Sequence, residues 1–380
     1  MTNLTLANPT RMQATAELGQ SIWLDNVQRS MFKMGEFKTT MGELKTSELG
    51  RLIAAGLRGL TSNPAIFEHA IGNSNDYDDA IARAPREESD LGVFERLAVA
   101  DIRSAADAFR PLYNASQGAD GYVSLEVAPQ LARDTDGAIT EGRRLWKMID
   151  RPNAMIKIPG TREGWPAIER LLYEGININV TLLFSIQNYQ QVSEAYLRAL
   201  ERRLQEGKPI DWIASVASFF VSRVDSEVDK RLDAQGGTLQ ALKGKAAIAN
   251  AKLAYVKFQE IMTSPRWQAL RQHKARPQRL LWASTGAKNP AYSDLLYVDT
   301  LIGRDTINTL PPQTLAQFED HGTVMSVLRQ GIPQARETLA QLACAGIDLD
   351  DVTAMLEEDG IKKFVASFQK VLNLISAKRQ

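Results

Sequence analysis

The sequence predicts a (β/α)8 barrel with additional helices. Strand-length apolar runs ending in polar residues recur along the chain, a helical stretch follows each, and the fingerprints of nucleotide-binding open sheets are missing. The runs are rich in Ile, Val and Leu, as expected of strands buried on both faces of a parallel sheet. Neither the dinucleotide pattern G-x-G-x-x-G nor the phosphate loop G-x-x-x-x-G-K-[ST] occurs, which removes the usual reasons for an open sheet. At 380 residues the chain fits one barrel with insertions, since such barrels run from about 200 to over 400 residues.

Residues 1–20 are expected to form a lead-in, flexible or briefly helical, ahead of a single barrel domain over 21–380. The strands are placed at SIWLDNV (21–27), LRGLTSNP (57–64), GYVSLEV (121–127), NAMIKIP (153–159), ININVT (176–181), WIASVASFF (212–220) and LLWAST (280–285), with TINTLP (306–311) a weaker eighth. Between them, residues 163–174 read as a helix stopped at Gly175, and residues 188–204 as another closed by Lys208-Pro209. The gaps from 64 to 121 and from 220 to 280 each exceed one helix, so extra helices are expected at about 65–120 and 224–275. Ile361, Phe364, Val365, Phe368, Val371, Leu372 and Ile375 share one face of a last helix, which packs and can close a pocket mouth.

Lys plus Arg (45) balances Asp plus Glu (45), so no global field draws in nucleic acid or an anionic membrane. Hydrophobic residues at 44% suffice for a full core, and no run of about 18 apolar residues suggests a membrane span. Cys344 is the single cysteine, which excludes intrachain disulfides, and His69, His273 and His321 show no zinc spacing. No metal and no cofactor are expected. The N-terminus lacks the layout of a secretory signal, so a reducing cytoplasm is the expected compartment. A homo-oligomer is compatible with these features.

In a barrel, polar side chains near the C-terminal ends of strands face the substrate site. Here these are Asp25, Asn63, Glu126, Lys157, Asn179, Thr181, Ser218 and Ser284. Each alone has a plain alternative as a helix cap or turn residue, and Asn63 before Pro64 is the strongest case for one. Lys157 stands in Met155-Ile156-Lys157-Ile158-Pro159, with apolar neighbours on both sides. It is either ion-paired, with Glu126 as partner, or a nucleophile whose desolvation disfavours the ammonium form and frees an amine to attack a carbonyl. The resulting Schiff base supplies an electron sink without a metal. Glu126 can protonate a leaving hydroxide, directly or through water, and Asp25 can take a proton from a substrate hydroxyl.

The remaining constellation suits an anion. Arg223 follows the sixth run, and Ser284, Gly286 and Lys288 follow the seventh. Barrels commonly bind phosphate in the loops after strands seven and eight, and an arginine fork, a hydroxyl, backbone N–H groups and a lysine suit a phosphate monoester. The plain alternative is that Arg223 pairs with Asp225 or Glu227 on the following helix.

In this order GLTSNPAIF, SLEVAP, MIKIPGT, INVTLLFS and SFFVSRVD resemble the transaldolases of the pentose phosphate pathway, especially their longer bacterial and plant-like branch. The resemblance extends from about Asp25 to the final helix. It implies a (β/α)8 barrel with the Schiff-base lysine, Lys157, on the fourth strand. It implies Asp25 as acid/base for carbon–carbon cleavage, and Glu126 acting through a water held near Thr181. Asn63 and Asn179 would hold the dihydroxyacetone moiety with Ser218 nearby, while Arg223, Ser284 and Lys288 grip the phosphate.

The implied reaction moves a dihydroxyacetone unit from sedoheptulose 7-phosphate to glyceraldehyde 3-phosphate, giving erythrose 4-phosphate and fructose 6-phosphate. Many relatives carry an arginine two residues after the serine of the seventh-strand motif. Here Ser284 is followed by Thr285, Gly286, Ala287 and Lys288, and lysine lacks arginine's bidentate geometry. A fructose 6-phosphate aldolase is the nearest alternative. Such relatives carry a tyrosine acid/base where this chain has Phe220, which cannot transfer a proton and whose ring helps exclude water. A catalytically silent sugar-phosphate-binding barrel is the alternative from another class, and no sequence feature favours it.

Overall fold

A computed structural model describes residues 9–39 and 42–380. Eight parallel strands, β1 (Gln20–Asp25), β2 (Gly59–Thr61), β3 (Tyr122–Glu126), β4 (Ala154–Pro159), β5 (Ile178–Leu183), β6 (Ser215–Phe220), β7 (Arg279–Ala283) and β8 (Thr306–Leu310), follow the chain around a closed barrel. β8 pairs with β1 to complete it, so the weak eighth run is a full member of the sheet. Apart from the intermediate exposure of Asp25, Glu126 and Arg279, every barrel-strand residue is buried, which accounts for the unbroken apolar runs.

Two strands differ from their expected extents. β2 is only three residues long because Asn63 already caps the next helix, Pro64–Gly72, where Pro64 takes the first turn. β5 runs on to Leu183 through an irregularity after Val180, with Leu182 in the left-handed region at φ 57°. The other strand ends move by one to three residues, ordinary for element boundaries.

Residues 1–8 of the expected lead-in lie outside the described residues, and Arg11–Glu17 form a helix whose Thr10 and Gln13 make a reciprocal capping box. That helix is tied to the end of the chain's Pro312–His321 helix, where Arg11 Nε donates to the Gly322 carbonyl at 2.8 Å and Met12 N–H to Glu319 at 2.8 Å. A two-stranded antiparallel ribbon, Met34–Thr39 and Gly42–Ser47, follows β1 and was not expected from the sequence. The stretch between β2 and β3 holds helices Pro64–Gly72, Asp78–Ala82 and Asp90–Ala115. Between β6 and β7 lie Ser222–Gln235, a 3-10 turn at Gly237–Leu242, Ala246–Thr263 and Pro265–Gln272. No helix among the described residues is long and apolar enough to cross a membrane.

The C-terminal helix, Leu349–Arg379, buries Phe364, Phe368, Val371 and Ile375, part of the stripe expected from the sequence. Polar contacts fasten it over the C-terminal mouth of the barrel. Asn188 donates to Glu357 at 2.8 Å, Arg231 pairs with Asp351 at 2.8 Å, and Arg133 pairs with Glu358. At Gly360 the helix comes close to β5: a Cβ there would lie 2.9 Å from Leu182 Cδ2 and 3.9 Å from Arg223 Nη1.

Candidate active site

Strand register brings the central groups to one level. Glu126 on β3 pairs with Lys157 on β4, which pairs with Asn179 on β5, and Asp25 on β1 pairs with Thr61 on β2. Because strand side chains alternate faces, Thr181 follows Asn179 on the same face one step nearer the mouth, and Phe220 follows Ser218 likewise. A cavity of about 190 Å³ opens there. Asp25, Asn63, Lys157, Thr181, Ser218, Phe220, Arg223, Ser284 and Lys288 line it. Of the residues singled out in the sequence, only Glu126 and Asn179 stand behind its wall.

The Lys157 amine donates to the Ser62 carbonyl at 3.1 Å and lies 3.5 Å from Glu126 Oε2, with side-chain exposures of 5% and 4% for the lysine and glutamate. The ion-pair alternative and the nucleophile reading therefore meet in one geometry. Burial pushes the Glu126 carboxyl above its ordinary range, against the pull of Lys157, and neither carboxylate oxygen has a hydrogen-bond partner among the described residues. The buried Thr181 hydroxyl is also without one. Burial likewise raises Asp25, against Lys157, the Thr61 hydrogen bond and Lys288. Thr61 Oγ1 donates to Asp25 Oδ1 at 2.7 Å and stands 2.7 Å from the Thr309 hydroxyl, which fixes the carboxylate's orientation.

Asn179 is engaged by protein: its amide nitrogen donates to Ser124 Oγ at 3.0 Å and its oxygen accepts from Ser218 Oγ at 2.7 Å. Asn63 faces the cavity while its Oδ1 accepts the Ile66 N–H at 3.1 Å, so the cap role and a place in the cavity coexist. Its amide nitrogen is the group left to meet a ligand.

Across the cavity from these groups, Arg223 does not pair with its helix neighbours. Asp225 accepts from Ala247 N–H and Tyr297, and Glu227 pairs with Arg231 at 3.0 Å. The guanidinium instead rests 5.7 Å from the centre of the Phe220 ring, and its buried Nη1 has no partner among the described residues. Burial disfavours its charge, with Asp359 as a weaker counterweight. Lys288 is pushed down by burial and then by Arg223 itself, with Asp25 opposing. Two desolvated, mutually repelling cations at a cavity wall call for an anion between them. Ser284, held at φ 55°, adds its hydroxyl 3.1 Å from Ser222 Oγ.

Residues that sequence reasoning did not single out also line the cavity. Thr61 and Thr309 stand beside Asp25, and Phe364 reaches in from the C-terminal helix. Phe184, 5.1 Å from Phe220 between ring centres, backs the apolar side. Helical periodicity puts Phe364 on the apolar face of a helix expected to close a pocket mouth, without singling out its ring as a cavity residue.

A closed parallel barrel with a buried amine, two buried carboxylates and a cation pair at the C-terminal ends of its strands has the layout of a (β/α)8-barrel enzyme site. The chain belongs to the transaldolase/fructose-6-phosphate aldolase family, whose profile matches residues 22–375. A transaldolase of Thiobacillus denitrificans is 49% identical over 361 residues, covering 94% of this chain and 97% of its own length. A Nostoc protein named transaldolase 2 is 46% identical over 376 residues, covering 95% and 96%. A Thermobifida fusca transaldolase is 44% identical over 369 residues, covering 96% and 97%.

Proposed function

We propose that this protein is a transaldolase that carries a dihydroxyacetone unit on Lys157 as a Schiff base, and that it serves the pentose phosphate pathway in the cytoplasm. The observation that carries the reading is the buried Lys157 amine, 3.5 Å from Glu126 and open to a cavity whose far wall holds Arg223 and Lys288. Family membership and the names of the relatives support it.

The amine attacks the ketone carbon of sedoheptulose 7-phosphate, whose phosphate is gripped by Arg223, Lys288 and Ser284. Glu126, its carboxyl raised by burial, gives a proton to the departing hydroxide through a water held by the Thr181 hydroxyl. Asp25 takes the proton of the substrate hydroxyl adjacent to the bond that breaks. The bond's electron pair flows into the iminium, erythrose 4-phosphate leaves, and an enamine stays on Lys157. Attack by the enamine on glyceraldehyde 3-phosphate reverses these steps, with Asp25 returning its proton to the new hydroxyl. Hydrolysis then frees fructose 6-phosphate and the lysine.

Asn63 and Ser218 hold the dihydroxyacetone hydroxyls, and Asn179 sets the Ser218 hydroxyl from behind. Phe220 presents a ring to the cavity where the aldolase reading needs an acid/base, and Phe364 adds a second apolar ring, which favours retention of the enamine for transfer.

The test is borohydride reduction in the presence of fructose 6-phosphate, followed by mass mapping. A reduced dihydroxyacetone adduct on Lys157 is expected, and an unlabelled protein overturns the proposal. Rapid multiple-turnover release of free dihydroxyacetone without an aldehyde acceptor would move the assignment to the aldolase reading.

A further inference from the structure

Two aspartates on the helix after β6 are held in matching ways by the chain near the start of the Ala246–Thr263 helix and by the segment after β7. Asp225 Oδ1 accepts the Ala247 N–H at 2.8 Å and its Oδ2 accepts the Tyr297 hydroxyl at 2.8 Å. One turn on, Asp229 Oδ1 accepts the Gly244 N–H at 3.0 Å and its Oδ2 accepts the Tyr292 hydroxyl at 2.6 Å. Each carboxylate thus joins one backbone N–H near the start of Ala246–Thr263 to one tyrosine from the loop between β7 and β8. Gly244, at φ 71°, leaves room for the second rung, since a Cβ there would lie 2.9 Å from Tyr292 Cζ.

Both rungs are buried at the aspartate, with Asp225 1% and Asp229 7% exposed. Burial pushes the Asp225 carboxyl up to about 6, against the hydrogen bonds from Ala247 and Tyr297. A buried carboxylate facing an aspartate neighbour is a costly way to fasten two segments. Leucine–leucine packing would fasten them without directional constraint, whereas paired hydrogen bonds fix the sliding register as well. The two segments they join are those that carry the cations: Arg223 stands two residues before Asp225, and Lys288 four residues before Tyr292.

We propose that Asp225, Asp229, Tyr292 and Tyr297 are positioning residues that set the separation of Arg223 and Lys288, and so the preference for a phosphorylated over an unphosphorylated aldehyde acceptor. The proposal rests on the transaldolase reading for its substrate, but the anion grip itself does not need turnover. Two repelling cations drift apart unless their supports are held; a phosphorylated donor or acceptor senses that drift, and an acceptor without phosphate does not. Acceptors without phosphate use the Lys157 and Asp25 side of the cavity alone.

Tyr292→Phe and Tyr297→Phe remove one hydroxyl each and keep the rings. Each is expected to raise KM for glyceraldehyde 3-phosphate about three- to tenfold, less than the full worth of a hydrogen bond to a charged group, because the loss reaches the anion only through the displaced support. With the phosphorylated donor saturating, the KM for unphosphorylated glyceraldehyde and kcat with either acceptor should stay unchanged. In a Lys288→Ala background the added loss should shrink, because the same interaction is already gone. Calorimetric titration with inorganic phosphate should show the same weakening, and it reads the grip even if the wild-type protein proves to transfer nothing. Equal losses with both acceptors, or no loss with either, overturn the proposal. So does failure of both variants to fold by circular dichroism, which would make the rungs a stability element only.

Discussion

The two ends of the barrel treat charge in opposite ways. At the N-terminal end Arg279 donates to Ser21 at 2.9 Å, to the Ala119 carbonyl at 2.7 Å and to Asp120 at 3.0 Å. Arg276 beside it donates to the Gly118 and Gln117 carbonyls and to Tyr122. At the C-terminal mouth both Glu126 oxygens and Arg223 Nη1 are buried without hydrogen-bond partners among the described residues. Neutral amide oxygens of Gln20 and Asn153 are also unpartnered, so the contrast lies in the ionic groups. Paired charge at one end fastens loops to strands. At the other end Glu126 has only the ion pair with Lys157 at 3.5 Å and Arg223 Nη1 no hydrogen-bond partner among the described residues; such incompletely satisfied charge costs stability and is retained where a ligand completes it.

The largest break in this comparison comes at Lys157. Lys157→Ala should lower turnover by roughly a thousandfold or more, since it removes the nucleophile of the proposed Schiff base. The fold should survive, because Glu126, already raised by burial, takes up a proton once the neighbouring amine is gone. Kinetics and circular dichroism on the same preparation check both halves. An unfolded variant would mean that the pair is structural, like the arginine contacts at the other end.

Asp25→Asn separates function from stability at a single atom. Turnover should fall roughly a hundredfold or more, the usual worth of a positioned acid/base. The melting temperature should rise. The folded-state pKa of Asp25 is raised, so the folded protein binds more protons than the unfolded chain between the ordinary aspartate value and the raised one. Stability therefore falls as pH increases through that window, and at neutral pH the ionised group is a cost that asparagine removes. Thr61 can still donate to the amide oxygen. In the wild-type protein the acid limb of kcat should lie above the ordinary carboxylate range of about 4, because cleavage uses the ionised form. A lower melting temperature in the variant would contradict this account.

Arg223→Ala tests the cation pair and should act on binding before chemistry. KM for phosphorylated substrates should rise about tenfold to a hundredfold, with a smaller change in kcat. Unchanged constants would remove Arg223 from the site. Lys288→Ala should have the smaller effect of the two, because a point charge gives up less geometry than a guanidinium fork.

What was legible in the sequence follows from range of interaction. Buried parallel strands leave apolar runs, so the sequence alone places the strand-borne groups Asp25, Glu126, Lys157, Thr181 and Ser218 at one barrel end. Thr309 escaped notice because TINTL is too polar to stand out, although its hydroxyl touches Thr61. Asn63 looked like a turn residue and is one, yet the short β2 sets it at the cavity as well. The ribbon after β1 has too few alternating residues to rise above its polar surroundings. The ladder of Asp225 and Asp229 with Tyr297 and Tyr292 joins positions more than sixty residues apart, and no local pattern encodes such a contact.

The smallest expected effect on activity comes from the end where the charges are paired. Arg279→Ala removes hydrogen bonds to Ser21, Asp120 and the Ala119 carbonyl, which tie β7 to β1 and to the turn before β3. Arg279 and Asp120 are 15% and 18% exposed, so the loss should be felt without the full penalty of a deeply buried orphan. Stability should fall by about 1–3 kcal/mol in urea titration, the range for losing a charged hydrogen-bond partner. Values of kcat and KM at 25 °C should match those of the wild type, because the mouth's geometry is set by the strand ends and their loops. A selective rise in KM with stability intact would show that the base of the barrel also tunes the mouth. The division between a fastening end and a working end would then no longer hold.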